Sequence, residues 1–119
     1  MKNLDQKRAA RALDNINHVN DKQSEYGSLA KSLPMMLQTN DLAQTMAFMK
    51  SKAPSNYAHQ QIFNHLSQWL NFAIRNVDND EDFLAWIVSQ DTNIYRHAAA
   101  EAIEFSIWLR RFTEAKGWE

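Results

Sequence analysis

His97, Glu101 and Glu104 come nearest, by type and spacing, to a metal site in this chain. On a helix, positions i, i+4 and i+7 share one side, so an imidazole and two carboxylates would project together as half of a di-metal centre in a bundle. The other half needs Glu-x-x-His pairs and further carboxylates from other helices. Tyr57 to Val77 contains no acid, and His18, His59 and His65 show no ligand spacing among themselves. A small carboxylate metalloenzyme is therefore the least supported of three readings.

The cluster Asp78-Asn79-Asp80-Glu81-Asp82 opens like a calcium loop, with carboxylates at alternate positions. Its sixth position is Phe83, where the turn needs glycine, and its twelfth is Ser89, where a bidentate carboxylate is needed. These acids fit better as favourable charges at the start of the next helix. Nucleophilic catalysis lacks a glycine-flanked serine, a phosphate-cradling glycine loop and a strand-to-helix elbow. The absence of cysteine excludes thiol catalysis and zinc-thiolate sites. We expect no catalytic residue, no metal, no cofactor and no small-molecule substrate.

Lys7, Arg8 and Arg11 cluster within about one helical turn, with Lys22 near them and Lys31 joining if the second helix packs beside the first. At 100° per residue they fall opposite the apolar positions of the first helix, flanked by Asp14 and Asp21. Cations at this spacing can meet successive phosphates of a nucleic-acid backbone without reading bases. A solvated helix face accounts for the same pattern. Net charge is −1, so the whole molecule lacks the footprint of a free-standing nucleic-acid binder. Eight Lys or Arg against five Asp or Glu in residues 1 to 52, and five against nine thereafter, make any basic surface local and N-terminal.

The elements that position these groups are helical. Two glycines, two prolines and no alternating β pattern argue for an all-α protein, and 119 residues with 45% hydrophobic content suit a single compact domain, 1–119. No apolar run approaches the roughly 20 residues of a membrane span, and the opening Met-Lys-Asn-Leu-Asp has no signal-peptide pattern. A cytoplasmic protein without membrane contact is expected.

The spacing predicts a first helix from about Leu4 to Val19 or Asn20, with Ala9, Ala12, Leu13, Ile16 and Val19 inward. A turn near Asp21 to Ser24 precedes a second helix burying Tyr26, Leu29, Ala30, Leu33 and Leu37, with Gly27 and Ser28 at its uncertain start. Pro34 should kink this helix rather than end it, because Leu37 keeps the phase of Leu33. Asn40 should cap a third helix, Asp41 to Lys52, with Met46 and Met49 as core filling. Ser55 should cap a fourth, running to about Val77, and a short fifth holds Phe83, Leu84, Trp86, Ile87 and Val88.

The last helix, roughly Asp91 to Lys116, carries the stripe Ile94, Ala98, Ala102, Phe105, Leu109 and Phe112. Ile103 and Ile107 lie on its far side, among Arg96, Glu104, Arg110 and Arg111. Two apolar faces put this helix at the centre of a bundle of five to six helices, or against a partner; Ile103, Ile107, Arg110 and Arg111 are the candidate protein interface.

Tyr26-Gly27-Ser28-Leu29-Ala30-Lys31-Ser32-Leu33-Pro34, followed by Leu42-Ala43-Gln44-Thr45-Met46-Ala47-Phe48, resembles the small helical subunit of the type III-B CRISPR effector, the Cmr complex or RAMP module. Gln6 to Ala12 and Glu101 to Phe112 also look like that family's first and last helices, whereas Tyr57 to Val88 is similar only in being helical and aromatic-rich. One departure is Asn40-Asp41, where the family tends to have a glycine; Asn40 can cap the helix or turn left-handed. The resemblance implies a non-catalytic subunit that stacks in a few copies along a ribonucleoprotein, beside guide RNA and target RNA, with nuclease and polymerase activities in other subunits. Its expected partners are the other Cmr proteins, the guide and target RNA backbone, and further copies of itself. The alternative is a general helical adaptor that binds protein only.

Overall fold

The structure, a computed structural model, describes residues 2–75 and 82–118. Six α-helices stand among the described residues: α1 Leu4–Asn17, α2 Gln23–Asn40, α3 Leu42–Lys52, α4 Tyr57–Leu70, α5 Phe83–Val88 and α6 Thr92–Lys116. The all-α class and the long C-terminal helix are as the periodicity predicts. α1 and α2 pack chiefly on α6 rather than on each other, α4 touches α1, α2, α3 and α6, and α5 lies on α3.

Local signals account for most boundaries. Asn3 and Gln6 form a reciprocal capping box on α1, Oδ1 of Asn3 accepting from the Gln6 amide at 2.8 Å and Oε1 of Gln6 from the Asn3 amide at 2.9 Å. α1 closes at Asn17, so Val19 is buried from the connecting turn instead of the helix. α2 runs unbroken through Pro34, and Leu33 and Leu37 are both buried. Gly27 lies inside α2, where a β-carbon would stand 2.6 Å from the carbonyl oxygen of Trp118. The residue after Gly117 therefore rests directly on the backbone of α2. Gly117, at φ 76°, supplies the left-handed step that brings Trp118 there, and the Trp118 amide bonds the Thr113 carbonyl at 3.0 Å.

Two expected caps shift by one residue. α2 extends through Asn40, so Asp41 caps α3, with φ 72° and ψ 166°, a region that glycine tolerates best. Its carboxylate accepts from the Leu42 amide at 2.8 Å and from the Tyr95 hydroxyl at 2.9 Å, while Tyr95 Oη accepts from the Ala43 amide at 2.9 Å. Those three bonds hold the backbone in a conformation that glycine would adopt at less cost. Ser55 falls in a 3₁₀ turn, Ala53–Ser55, and Asn56 caps α4, accepting from the His59 amide at 3.1 Å. α4 gives way after Leu70 to a π-helical turn, Asn71–Arg75; the expected end at Val77 lies outside the described residues.

The core is one cluster, including Ile16, Tyr26, Leu33, Leu42, Met46, Met49, Ile62, Leu66, Trp69, Leu70, Phe83 and Phe105. Both methionines are fully buried, as their shared face with Leu42 predicts. Ile94, expected on the buried stripe of α6, is instead exposed, because its neighbours Ile74 and Trp86 leave an open cleft beside it.

Candidate nucleic-acid interface

The basic residues of α1 divide between interior and surface. Arg8 does not point to solvent with Lys7 and Arg11, as expected; its side chain is 14% exposed and forks onto Glu101 of α6, Nε to Oε2 at 2.5 Å and Nη2 to Oε1 at 2.8 Å. The reason is register. Arg8 precedes Ala12 by four residues and so shares the stripe of Ala12, Asn15 and Ile16, the residues of α1 that are buried. Leu13, expected inward, is exposed instead.

Glu101, 4% exposed, also accepts from the Trp69 indole at 2.8 Å. Burial alone would push this carboxyl up, but the bonds from Arg8 and Trp69 more than offset it and hold the group below its ordinary value. The same pairing raises the guanidinium of Arg8. Asp5 extends the cluster outward, accepting from Arg8 at 3.2 Å and from the Trp108 indole at 2.9 Å. The face expected to offer His97, Glu101 and Glu104 together is thus divided, with Glu101 inward and the other two at the surface. Among the described residues no group of three His, Asp or Glu side chains is arranged to hold a metal ion. Asp78 and Asp80 of the calcium-like loop lie outside the described residues; Asp82 caps α5, accepting from the Ala85 amide at 3.2 Å.

Arg11 stays at the surface but against aromatic rings, its guanidinium carbon 5.3 Å from the Phe72 centroid and 5.9 Å from that of Trp69. These residues, with Lys2, Lys7, Ala10 and Asp14, line a depression of about 300 Å³. Phe72, the second residue of the π turn, is 48% exposed. Lys22 is exposed at the left-handed start of α2, and Lys31 is exposed on α2. α1 and α2 meet through α6, so Lys31 does not join the basic group by direct packing of the two helices. Lys2, Trp69 and Phe72 are functional candidates that the sequence pattern alone does not single out. The usable signal is an aromatic pair at i and i+3, one of them beyond the last regular turn of α4.

The far side of α6 also divides. Ile103 packs partly into the core, while Ile107 is 38% exposed. Arg110 pairs with Glu114 at 3.4 Å, and Arg111 approaches the same carboxylate at 3.7 Å. On α4, His65 is buried, its Nδ1 2.7 Å from the Tyr26 hydroxyl. Burial, with a smaller contribution from His18, pushes its pKa down to about 4, so the ring is neutral at physiological pH.

The family model described as CRISPR-associated protein (Cas_Cmr5) matches residues 4–116. The chain belongs to the Cmr5 family. Among solved structures it is similar to the X-ray crystal structure of a CRISPR-associated Cmr5 family protein from Thermus thermophilus, with 22% sequence identity, a TM-score of 0.80, and coverage of 96% of this chain and 97% of that one. At that identity the likeness speaks for the shared helical fold. Cmr5 membership makes this chain a component of the multi-subunit type III-B CRISPR assembly, together with other proteins. Among the described residues no helix is long and apolar enough to cross a membrane.

Proposed function

We propose that this Cmr5-family chain is a non-catalytic structural subunit of an RNA-guided antiviral effector, stacking with neighbouring subunits and meeting the guide and target RNA by their phosphates. One observation carries the reading. Glu101 and His65, whose chemistry could have served a reaction, are turned inward and hydrogen-bonded by Arg8, Trp69 and Tyr26, whereas Lys2, Lys7 and Arg11 line an open surface. Lys7 and Arg11 form the backbone-contacting core of this proposal, with Lys22 and Lys31 as outlying members. Arg8 acts from inside by fixing α1 on α6. Ile107, Arg110 and Arg111 offer a surface to a neighbouring subunit.

The test is a reconstituted effector carrying Lys7→Ala with Arg11→Ala. Phosphate contacts are indifferent to sequence and sensitive to salt, so affinity should fall alike for all targets, and the slope of log affinity against log salt should drop by about 0.7 to 0.9 per lost contact for each copy engaged. Unchanged affinity and slope would leave a protein-only adaptor as the better reading.

A further inference from the structure

The rings of Phe105, Trp69 and Phe72 form a ladder that climbs out of the core. Phe105 and Trp69 are both buried and stack at 5.2 Å with an interplanar angle of 8°, and Trp69 meets Phe72 at 5.5 Å and 38°. The ladder ends at Phe72, whose ring is half exposed because the π turn carries it past the last regular turn of α4. Such turns are rare and concentrate at functional sites. Arg11 lies over both outer rings, so one wall of the depression joins aromatic rings to a guanidinium group. Three cations, Lys2, Lys7 and Arg11, surround it against a single carboxylate, Asp14.

We infer that this depression takes an unpaired nucleobase of single-stranded RNA, stacked on the wall made by Phe72 and Arg11, with its phosphates held by Lys2, Lys7 and the charge of Arg11. This deepens the RNA-contacting reading above and rests on it. A phosphate alone needs donors and gains nothing from an exposed ring, whereas a base offers a π face that continues the ladder. A paired base has both faces covered by its neighbours in the helix and cannot enter. The surplus of positive charge favours a polyanion over an apolar peptide. Stacking of this kind is tolerant of sequence, because every base has a face.

The test uses the full chain at low salt, titrated with a short oligouridylate and with an RNA duplex of equal length, following the ring signals of Phe72 and the indole of Trp69 by NMR. The expected result is an upfield shift at Phe72 with the single strand only. Phe72→Ala should weaken single-strand binding by about tenfold, the scale of one lost stack, at unchanged salt slope, and Phe72→Trp should restore it. Arg11→Lys, which keeps the charge and loses the plane, should also weaken binding without changing the slope. Equal affinity of Phe72→Ala and the parent chain, or equal shifts with duplex, sinks the stacking site. If Lys7→Ala with Arg11→Ala still lowers the salt slope in that case, the phosphate-contacting reading survives; if it does not, both fall. Loss of effector assembly in Phe72→Ala, with no oligouridylate shift in the parent chain, assigns the depression to a neighbouring protein and overturns the inference.

Discussion

Arg8 and Glu101 lie 93 positions apart in sequence and meet as a two-pronged ion pair inside the helix bundle. Each is intelligible only through the other. Glu101 occupies the inward stripe of α6 with Ala98, Ala102 and Phe105, where an unpartnered carboxylate would be prohibitive. Arg8 occupies the corresponding stripe of α1.

Truncating one partner should therefore be far worse than replacing both. Arg8→Ala strands Glu101 with Trp69 as its remaining donor and should cost about 3 to 5 kcal/mol in urea unfolding. Arg8→Met combined with Glu101→Leu should recover most of that loss, and the cycle should be strongly non-additive. Additive losses would show that the fork is not coupled.

This pair also shows what local patterns can and cannot disclose. The 3.6-residue period is enough to place α1, α2, α3 and α6, because each buries a predominantly apolar stripe. Arg8 reads as a solvent residue because a charge on a short helix is outward unless a partner exists, and the partner sits on a helix distant in sequence. A usable clue is present: Glu101 interrupts an apolar stripe, and an inward acid demands an inward base. The displaced cap at Asp41 has a different cause, since the Tyr95 hydroxyl that steadies its backbone also comes from α6. Phe72 is hidden because a π turn breaks the period on which sequence patterning depends.

His65 should make the protein acid-sensitive. Its folded pKa is about 4 against an ordinary 6.5, so the unfolded chain binds the proton more tightly. Its stabilising contribution is complete above about pH 6.5 and is lost as pH falls toward 4, amounting to about 3 kcal/mol across that window. Chemical denaturation between pH 7 and 4 should show this decline, and His65→Gln should flatten it. Depression of Glu101 acts in the same direction at more acid pH, below the ordinary carboxylate value.

Gly27→Ala should act through Trp118. The new methyl would collide with the carbonyl group and β-carbon of that residue, at 2.6 to 2.7 Å, and dislodge it from its edge-on contact with Tyr26. Near-ultraviolet circular dichroism should report the lost tryptophan packing. In a chain truncated after Gly117 the clash is absent, and the same substitution should stabilise α2 by about 0.5 to 1 kcal/mol. A destabilised shortened variant would show that the obstruction lies elsewhere.

The two isoleucines on the far side of α6 should separate cleanly. Ile107→Glu leaves a carboxylate in solvent and should change monomer stability by about 0.5 kcal/mol or less, while Ile103→Glu drives one against the core and should cost about 2 kcal/mol or more. Thermal melts of the isolated chain check both. If the exposed residue meets a neighbouring subunit, effector assembly should suffer in Ile107→Glu even though the monomer melts normally.

Because α1 and α2 find their principal partner in α6, which follows the other five helices, the order of synthesis opposes the order of packing. A nascent chain that has completed α1 to α5 can set α2 on α3 and α4, with Tyr26 against His65, but α1 and α2 lack the helix on which they chiefly pack, and the burial of Ala12 and Ile16 waits until the 25-residue α6 has left the ribosome. Folding is in this sense deferred to the emergence of a single late helix. A translation product interrupted before α6 would present an apolar, aggregation-prone surface to the cell's quality-control machinery instead of a partly working subunit.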